Sequence, residues 1–233
     1  MKQLLSVLIL AASALPAAAQ GVDVGYPPPK SPFNDLEYKQ EATVFGGYYL
    51  AGKDPAGVAP RSGPMAGIRY EVTVGGPAQL VARVARVNSE RQVINPAEPA
   101  ASRNLGIQSW PLYLADLGMS LNLTGQRSWH GVVPVIHSGI GVASDLNKKA
   151  EGDPYNLGTT FAFSFTAGLR IVPSGGRLQM RADAGTWFYQ VKYPSAYYNL
   201  TSDNTSVLES DQAKNLWKRN LGLTLGASYL LFR

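Results

Sequence analysis

Charged residues recur in the middle of segments that otherwise alternate between apolar and small polar residues. The set contains four arginines, three acids and one histidine: Arg69, Glu71, Arg83, Asp116, His137, Arg170, Arg181 and Asp183. Acidic and basic groups held in one confined space could transfer protons or line a path for ions. They could also neutralise one another, because buried charges are stable only when they are paired and hydrogen-bonded.

His137 is followed directly by Ser138, and a histidine that activates a serine is the basis of many hydrolases. A nucleophile and its base must share a face, whereas consecutive residues of a strand point to opposite faces. His130, the only other histidine, is too distant along the chain to replace His137. Two histidines without any cysteine also disfavour a transition-metal centre. We therefore predict no catalytic residue, no metal site and no cofactor.

Eight segments show the period-two alternation of β-strands. In the clearest of them, from Thr159 to Val172, phenylalanine and aliphatic side chains occupy the odd positions, whereas threonine, serine and glycine occupy most of the even positions. The eight segments run from Glu41 to Leu50, Pro64 to Val74, Ala78 to Asn88, Gln108 to Leu123, Trp129 to Val142, Thr159 to Val172, Arg177 to Val191 and Trp217 to Phe232. A tilted strand needs roughly 9 to 11 residues to cross the hydrocarbon layer of a membrane, and these segments are long enough.

Short and long connections alternate between the segments, so that all the long ones fall on one side. The short connections are the Gly- and Pro-rich turns near Gly75–Pro77, Thr124–Ser128 and Pro173–Gly176. This asymmetry favours an all-β fold, an eight-stranded antiparallel up-and-down transmembrane β-barrel. A soluble, lipocalin-like barrel would produce the same alternation with its two faces exchanged.

Two further features favour the transmembrane barrel. Aromatic residues gather near segment ends, where an interfacial girdle would lie: Trp110, Tyr113, Trp129, Tyr193, Trp217, Tyr229 and Phe232. The mixed-sign charges described above stand beside glycines, which suits a narrow polar interior. Because an eight-stranded barrel is just wide enough inside to be filled by side chains, we predict that these charges form a paired plug.

The facing of the first and third segments stays open. Gly46-Gly47-Tyr48-Tyr49 leaves the first undecided, and Arg83 and Arg86 cannot both point inward without a β-bulge. A lipid-facing arginine costs roughly 2 to 4 kcal/mol at mid-membrane and about 0 to 1 kcal/mol near the interface. We expect either a bulge near Ala85 or an Arg86 side chain that extends toward the membrane surface.

The N-terminus has the features of a secretory signal peptide. Lys2 precedes an apolar stretch that ends in Ala17-Ala18-Ala19, which predicts a signal peptide over residues 1–19. Its removal deletes one cation and leaves a net charge of +4. Residues 20–39 are then a periplasmic lead-in, and residues 40–233 form the barrel.

The alternating segments, tight turns and long loops resemble the small outer-membrane barrels of the OmpA transmembrane domain and OmpX type over nearly the whole mature chain. The resemblance implies the bacterial outer membrane as location and lipid and lipopolysaccharide as partners. It also implies that the last strand, from Leu221 to Arg233, is presented to the barrel-assembly machinery. The chain departs from the family pattern because its closing aromatic, Phe232, is penultimate. Lipid A deacylases of the PagL kind share the barrel, but the neighbouring His137 and Ser138 do not match their common-face arrangement.

The long loops carry cations that could contact lipopolysaccharide phosphates: Lys148, Lys149, Lys192, Lys214, Lys218 and Arg219. In the last loop, Ser206 and Glu209 have the spacing of a capping box, which predicts a short helix through Asn215. Three functions stay open: a non-enzymatic structural or adhesive barrel, which we favour; a small porin-like pore; and, less favoured, a lipid A-modifying enzyme. We expect a monomer that binds no nucleic acid.

Overall fold

Eight long antiparallel strands close into a barrel. The computed structural model describes residues 31–36, 39–173 and 176–232. In chain order, its strands are β1 (Phe33–Asp35), β2 (Gln40–Leu50), β3 (Gly63–Gly75), β4 (Ala78–Val87), β5 (Glu90–Ile94), β6 (Asn104–Ser109), β7 (Leu112–Asn122), β8 (Arg127–Trp129), β9 (Val132–Ser144), β10 (Thr159–Ile171), β11 (Leu178–Lys192) and β12 (Asn215–Phe232). The ring runs β2-β3-β4-β7-β9-β10-β11-β12 and returns to β2. The predicted fold class is confirmed.

The connections alternate as the sequence predicts. Four long loops lie at one end of the barrel: L1 (residues 51–62), L2 (88–111), L3 (145–158) and L4 (193–214). L2 contains a hairpin, β5–β6, which the sequence analysis did not predict. The predicted segment from Gln108 to Leu123 is therefore two strands, which separate at Trp110-Pro111 because proline has no N–H to donate to a ladder.

The facing of the first and third barrel strands is now defined. On β2, Glu41 and Tyr49 are buried inside the barrel, whereas Val44 is exposed outside. On β4, Arg83 points inward and Arg86 outward, and the register with both neighbours is unbroken at Ala85. Of the two alternatives, the bulge is absent, and the Arg86 guanidinium lies 6.0 Å from the ring centroid of Tyr113.

The outer wall between the strand ends is apolar. Exposed valine, leucine, isoleucine, methionine and phenylalanine side chains cover it, and Phe163 stacks on Phe188 with ring centroids 5.0 Å apart. Trp217 approaches Phe163 with ring centroids 5.5 Å apart. In the described ranges, no helix is both long and apolar enough to cross a membrane.

Two further predictions concern the N-terminus and L4. The proposed signal peptide lies outside the described residues. The described residues from Phe33 onward form one compact unit, in which β1 pairs with β8 and Asp35 binds Arg127 at 3.0 Å. The predicted helix in L4 is wrong. Ser206 Oγ donates to the Leu208 carbonyl and so caps no backbone N–H, and the short 3-10 helix of L4 lies earlier, at Ser195–Tyr198.

Candidate functional site

The lumen is filled by ion pairs between strands. Arg83 on β4 binds Asp116 on β7, with Nη2 2.6 Å from Oδ2. Arg170 on β10 binds Glu41 on β2 across the barrel. Both pairs are almost fully buried, so each guanidinium keeps a carboxylate partner where water is excluded.

A second group of charges forms one connected cluster. Glu71 forms an ion pair with Arg69, at 2.9 Å, and accepts a hydrogen bond from Arg181 at 2.8 Å. Asp183 binds Arg181 at 2.7 Å and lies 3.6 Å from Arg69. Because these residues come from β3 and β11, the cluster connects strands that are not neighbours in the ring.

Glu41 is a charged lumen residue that sequence reasoning missed. Among the described residues, four arginines of the lumen face four carboxylates only when Glu41 is counted with Glu71, Asp116 and Asp183. The uneven charge of the predicted set was the available signal, because four arginines and three acids would leave one guanidinium without a carboxylate. Because the facing of the first segment was undecided, Glu41 was not assigned to the lumen.

His137 lies inside the lumen, next to Asp116. Its Nε2 is 3.4 Å from Asp116 Oδ1, whereas Ser138 lies on the outer face. Ser164 does share the inner face with His137, and both side chains are buried. The lumen cavity beside Arg83 and Trp187 measures only about 10 Å³, which is too small to admit a substrate. In the part of the chain that the structure describes, no group of histidine and acidic side chains could hold a metal ion.

Above the lumen, the long loops pack into a cap. Arg91 of L2 is fully buried and binds Asp153 of L3, with Nη1 2.6 Å from Oδ2. The Arg91 guanidinium also lies over Trp110, 3.9 Å from the ring centroid. Trp110 itself is 1% exposed and donates to Asp145 at 2.9 Å. The prediction that Trp110 belongs to the outer girdle is therefore wrong, because the cap encloses it.

Asp153 joins three segments of the cap. It accepts hydrogen bonds from the Ile94 N–H of L2, at 3.2 Å, and from the Tyr197 hydroxyl of L4, at 2.7 Å. It also accepts from the N–H of Tyr155, in its own loop, at 2.8 Å. Burial, together with the hydrogen bond to Asp153, raises the pKa of Tyr197 well above its usual value.

L1 is fastened to the cap by L4. The Tyr193 hydroxyl donates to Asp54 Oδ1 at 2.5 Å, and the ring is buried. Burial, followed by the hydrogen bond and the charge of Asp54, raises the pKa of Tyr193. Tyr193 is thus part of the cap, and its predicted place in the outer girdle is wrong for the same reason as that of Trp110.

Four of the other predicted girdle residues are at the outer surface. Trp129, Trp217 and Tyr229 are exposed, and Tyr113 is half-buried beside Arg86. The side chain of Phe232 lies outside the described part of the structure. A closed ring with an apolar outer wall, an ionic interior and long loops at one rim satisfies every requirement of a strand-built membrane protein.

The molecule is a small β-barrel of the outer-membrane type. Its structure is similar to that of Ail, the attachment invasion locus protein of Yersinia pestis, in complex with the heparin analogue sucrose octasulfate: 12% identity, a TM-score of 0.39, and coverage of 82% of this chain and 99% of that chain. A major outer membrane protein from Thermus thermophilus is also similar, with 12% identity and a TM-score of 0.38. The match covers 83% of this chain and 98% of that chain. Ail in a phospholipid bilayer nanodisc gives 12% identity and a TM-score of 0.35. The match covers 81% of this chain and 99% of that chain. No family model matches the sequence, and no curated protein is significantly similar to it.

The loop cations of this outer-membrane barrel differ in exposure. Five are exposed: Lys148, Lys149, Lys192, Lys214 and Arg219. Among them, Lys148 donates to the Ser109 carbonyl at 2.6 Å and lies over Trp110. Lys218 is the exception, because its side chain points inward from β12 and is buried. The prediction that Lys218 contacts lipid phosphates at the outer surface is wrong.

Proposed function

We propose that the chain is a non-enzymatic outer-membrane barrel protein with a structural or adhesive role, whose capped extracellular end makes the contacts that matter. The observation that carries this proposal is the Arg91–Asp153 pair, which is fully buried and ties L2 to L3, with Tyr197 adding L4. Loops held in this way present one preformed surface, so that a partner binds without first ordering them.

Lipopolysaccharide is the partner that the exposed cations favour. Lys192 and Lys214 lie at the extracellular rim, and Arg219 points outward between Trp217 and Leu221. Cations at this level would meet the phosphates of lipopolysaccharide head groups. The alternating apolar residues of β12 support recognition by the barrel-assembly machinery, and the closed ring supports a monomer.

The location is tested by outer-membrane fractionation with heat-modifiable gel mobility. The contact with lipopolysaccharide is tested by comparing the thermal unfolding of the protein in bilayers that contain intact or dephosphorylated lipopolysaccharide. We expect phosphates to raise the unfolding temperature of the wild type, and we expect the triple variant K192Q/K214Q/R219Q to lose most of that increase. Lys39 is exposed at the other rim, so K39Q serves as the control and should behave as the wild type. A triple variant that responds fully would remove lipopolysaccharide as a partner.

The pore and enzyme alternatives make different predictions. A lumen that is filled by ion pairs and holds a cavity of only about 10 Å³ supports the absence of conductance steps in planar bilayers. An ohmic conductance that changes in R69Q or D116N would favour the pore. A mass change of lipid A that disappears in H137A would favour the enzyme.

A further inference from the structure

An open cleft of about 460 Å³ lies between L1 and the extracellular end of β12. Ala51, Gly52 and Gly57 supply backbone to its wall, and Asp54, Arg61 and Lys218 supply charged side chains. This volume falls within the range of small-molecule sites, roughly 300 to 1,000 Å³. It is separate from the small lumen cavity beside Arg83 and Trp187, because the two cavities share no lining residue.

Lys218 is a buried cation that faces this cleft. Its side chain is 3% exposed, and Nζ donates to the Pro60 carbonyl at 3.2 Å. Among the residues that the structure describes, no carboxylate lies within ion-pairing distance of Nζ, in contrast to the lumen arginines and Arg91. An ammonium group that is removed from water without a carboxylate in direct contact is costly, and an anion in the cleft would offset that cost beyond what the more distant charge of Asp54 supplies.

The one carboxylate of the cleft is already engaged. Asp54 accepts from the N–H groups of Ala56, at 3.2 Å, and Ala59, at 2.6 Å, and from the Tyr193 hydroxyl. Within the described ranges, Arg61 in contrast donates only to the neutral side chain of Gln92, through Nη2 at 3.0 Å. The cleft therefore presents two cations against one carboxylate whose oxygens already accept three hydrogen bonds.

We propose that this cleft binds a sugar that carries a phosphoryl group, with Lys218 and Arg61 as the ligands of the phosphoryl oxygens. Guanidinium and ammonium groups are the side chains that proteins use to bind phosphate. The cleft is larger than one phosphate needs, and the remaining space suits the sugar. This proposal rests on the proposed function in one respect: the extracellular position of the cleft follows from it.

Isothermal titration of the folded full-length barrel in an uncharged detergent tests the site, with glucose 6-phosphate as the probe and glucose as the neutral comparison. We expect glucose 6-phosphate to bind and glucose not to bind. K218M should weaken binding at least tenfold, whereas K39M, which removes an exposed cation at the opposite rim, should leave it unchanged. R61Q, whose side chain is half-buried, should weaken binding several-fold and provides a second variant if K218M does not fold.

Three results would overturn the site: no binding by the wild type, equal affinity in K218M and wild type, or equal affinity for glucose. The same titration in bilayers separates two sources of the phosphoryl sugar. Intact lipopolysaccharide should compete with the probe if the membrane supplies the ligand, and it should leave the affinity unchanged if the ligand is soluble. If the probe does not bind but the protein fractionates with the outer membrane, the cleft is not a binding site and the proposed function is unaffected.

Discussion

Arg170 lies wholly inside the barrel, and the residue that makes this possible is Glu41. Gln79 and Asn122 add hydrogen bonds to the same guanidinium, so its environment is polar as well as neutralised. Such pairs add little net stability compared with an apolar filling, but removal of one partner is strongly destabilising. In a lumen built from ion pairs, each residue is therefore fixed by its partner on another strand.

Removal of the Glu41 charge should expose this dependence. E41Q leaves Arg170 without its carboxylate, and we expect a loss of about 3 to 5 kcal/mol in the free energy of unfolding. Urea titration in lipid bilayers, followed by tryptophan fluorescence, measures this loss. D35N is the matched control, because the Asp35–Arg127 pair is exposed and such pairs contribute about 0 to 1 kcal/mol. Equal effects in the two variants would mean that the lumen is hydrated.

At the scale of elements, strand pairing in the barrel depends on glycines where backbones approach closely. A Cβ atom at Gly141 of β9 would lie 1.9 Å from the Ala115 carbonyl oxygen of β7, a distance that no structure tolerates. Gly75, at the end of β3, has open space around the same position. Close packing of the strands therefore requires glycine at Gly141, whereas it does not require glycine at Gly75.

Alanine at the two positions should have opposite outcomes. G141A must push β7 and β9 apart, and we expect a loss of about 1 to 3 kcal/mol or more, as for other overpacked sites. G75A should change the free energy of unfolding by less than about 0.5 kcal/mol. Denaturant titration of both refolded barrels provides the measurement, and a G141A barrel as stable as wild type would contradict the close approach of these strands.

The loops form a second kind of element, because a single acid joins three of them. In D153N, Arg91 loses its counter-charge and the hydrogen bond from Tyr197 weakens. We expect trypsin to cut the loops at Arg103 and Lys149 faster than in the wild type, while the membrane-embedded strands stay protected. E151Q alters an exposed acid of the same loop and should be cut at the wild-type rate. Equal cutting in all three proteins would mean that the cap is not held by Asp153.

At the scale of the whole molecule, the surrounding medium decides what an exposed side chain contributes. Leu225 on β12 is 71% exposed, and Leu200 in L4 is 69% exposed. Leu225 lies between Trp217 and Tyr229 and so faces acyl chains, whereas Leu200 faces water. Exposure alone cannot distinguish them.

Arginine at these two positions should distinguish them. L225R places a charge in the hydrocarbon layer, and we expect a loss of about 2 to 4 kcal/mol in the free energy of folding into bilayers. L200R should be neutral within about 0.5 kcal/mol. Folding titrations in lipid vesicles give both values. A neutral L225R would mean that the apolar wall does not face lipid.

The period of the sequence predicted the eight barrel strands, their order and the side of the long loops. This success has a local cause: alternation of side chains along a strand is a property of a few consecutive residues. The outward position of Phe161 and the inward position of Arg170 both follow from it. The sequence also favoured an outer wall of apolar residues over the lipocalin-like exchange, because charges of both signs fit the interior.

Only the tertiary structure decided which residues meet. Glu41 became the partner of Arg170 through a contact between strands far apart in the chain, and Trp110, Tyr193 and Lys218 were enclosed by loops that fold on one another. Loops have no repeating pattern to read, and their burial depends on long-range contacts that no short window of sequence contains. The cap and the cleft beside Lys218 are therefore properties of the folded barrel.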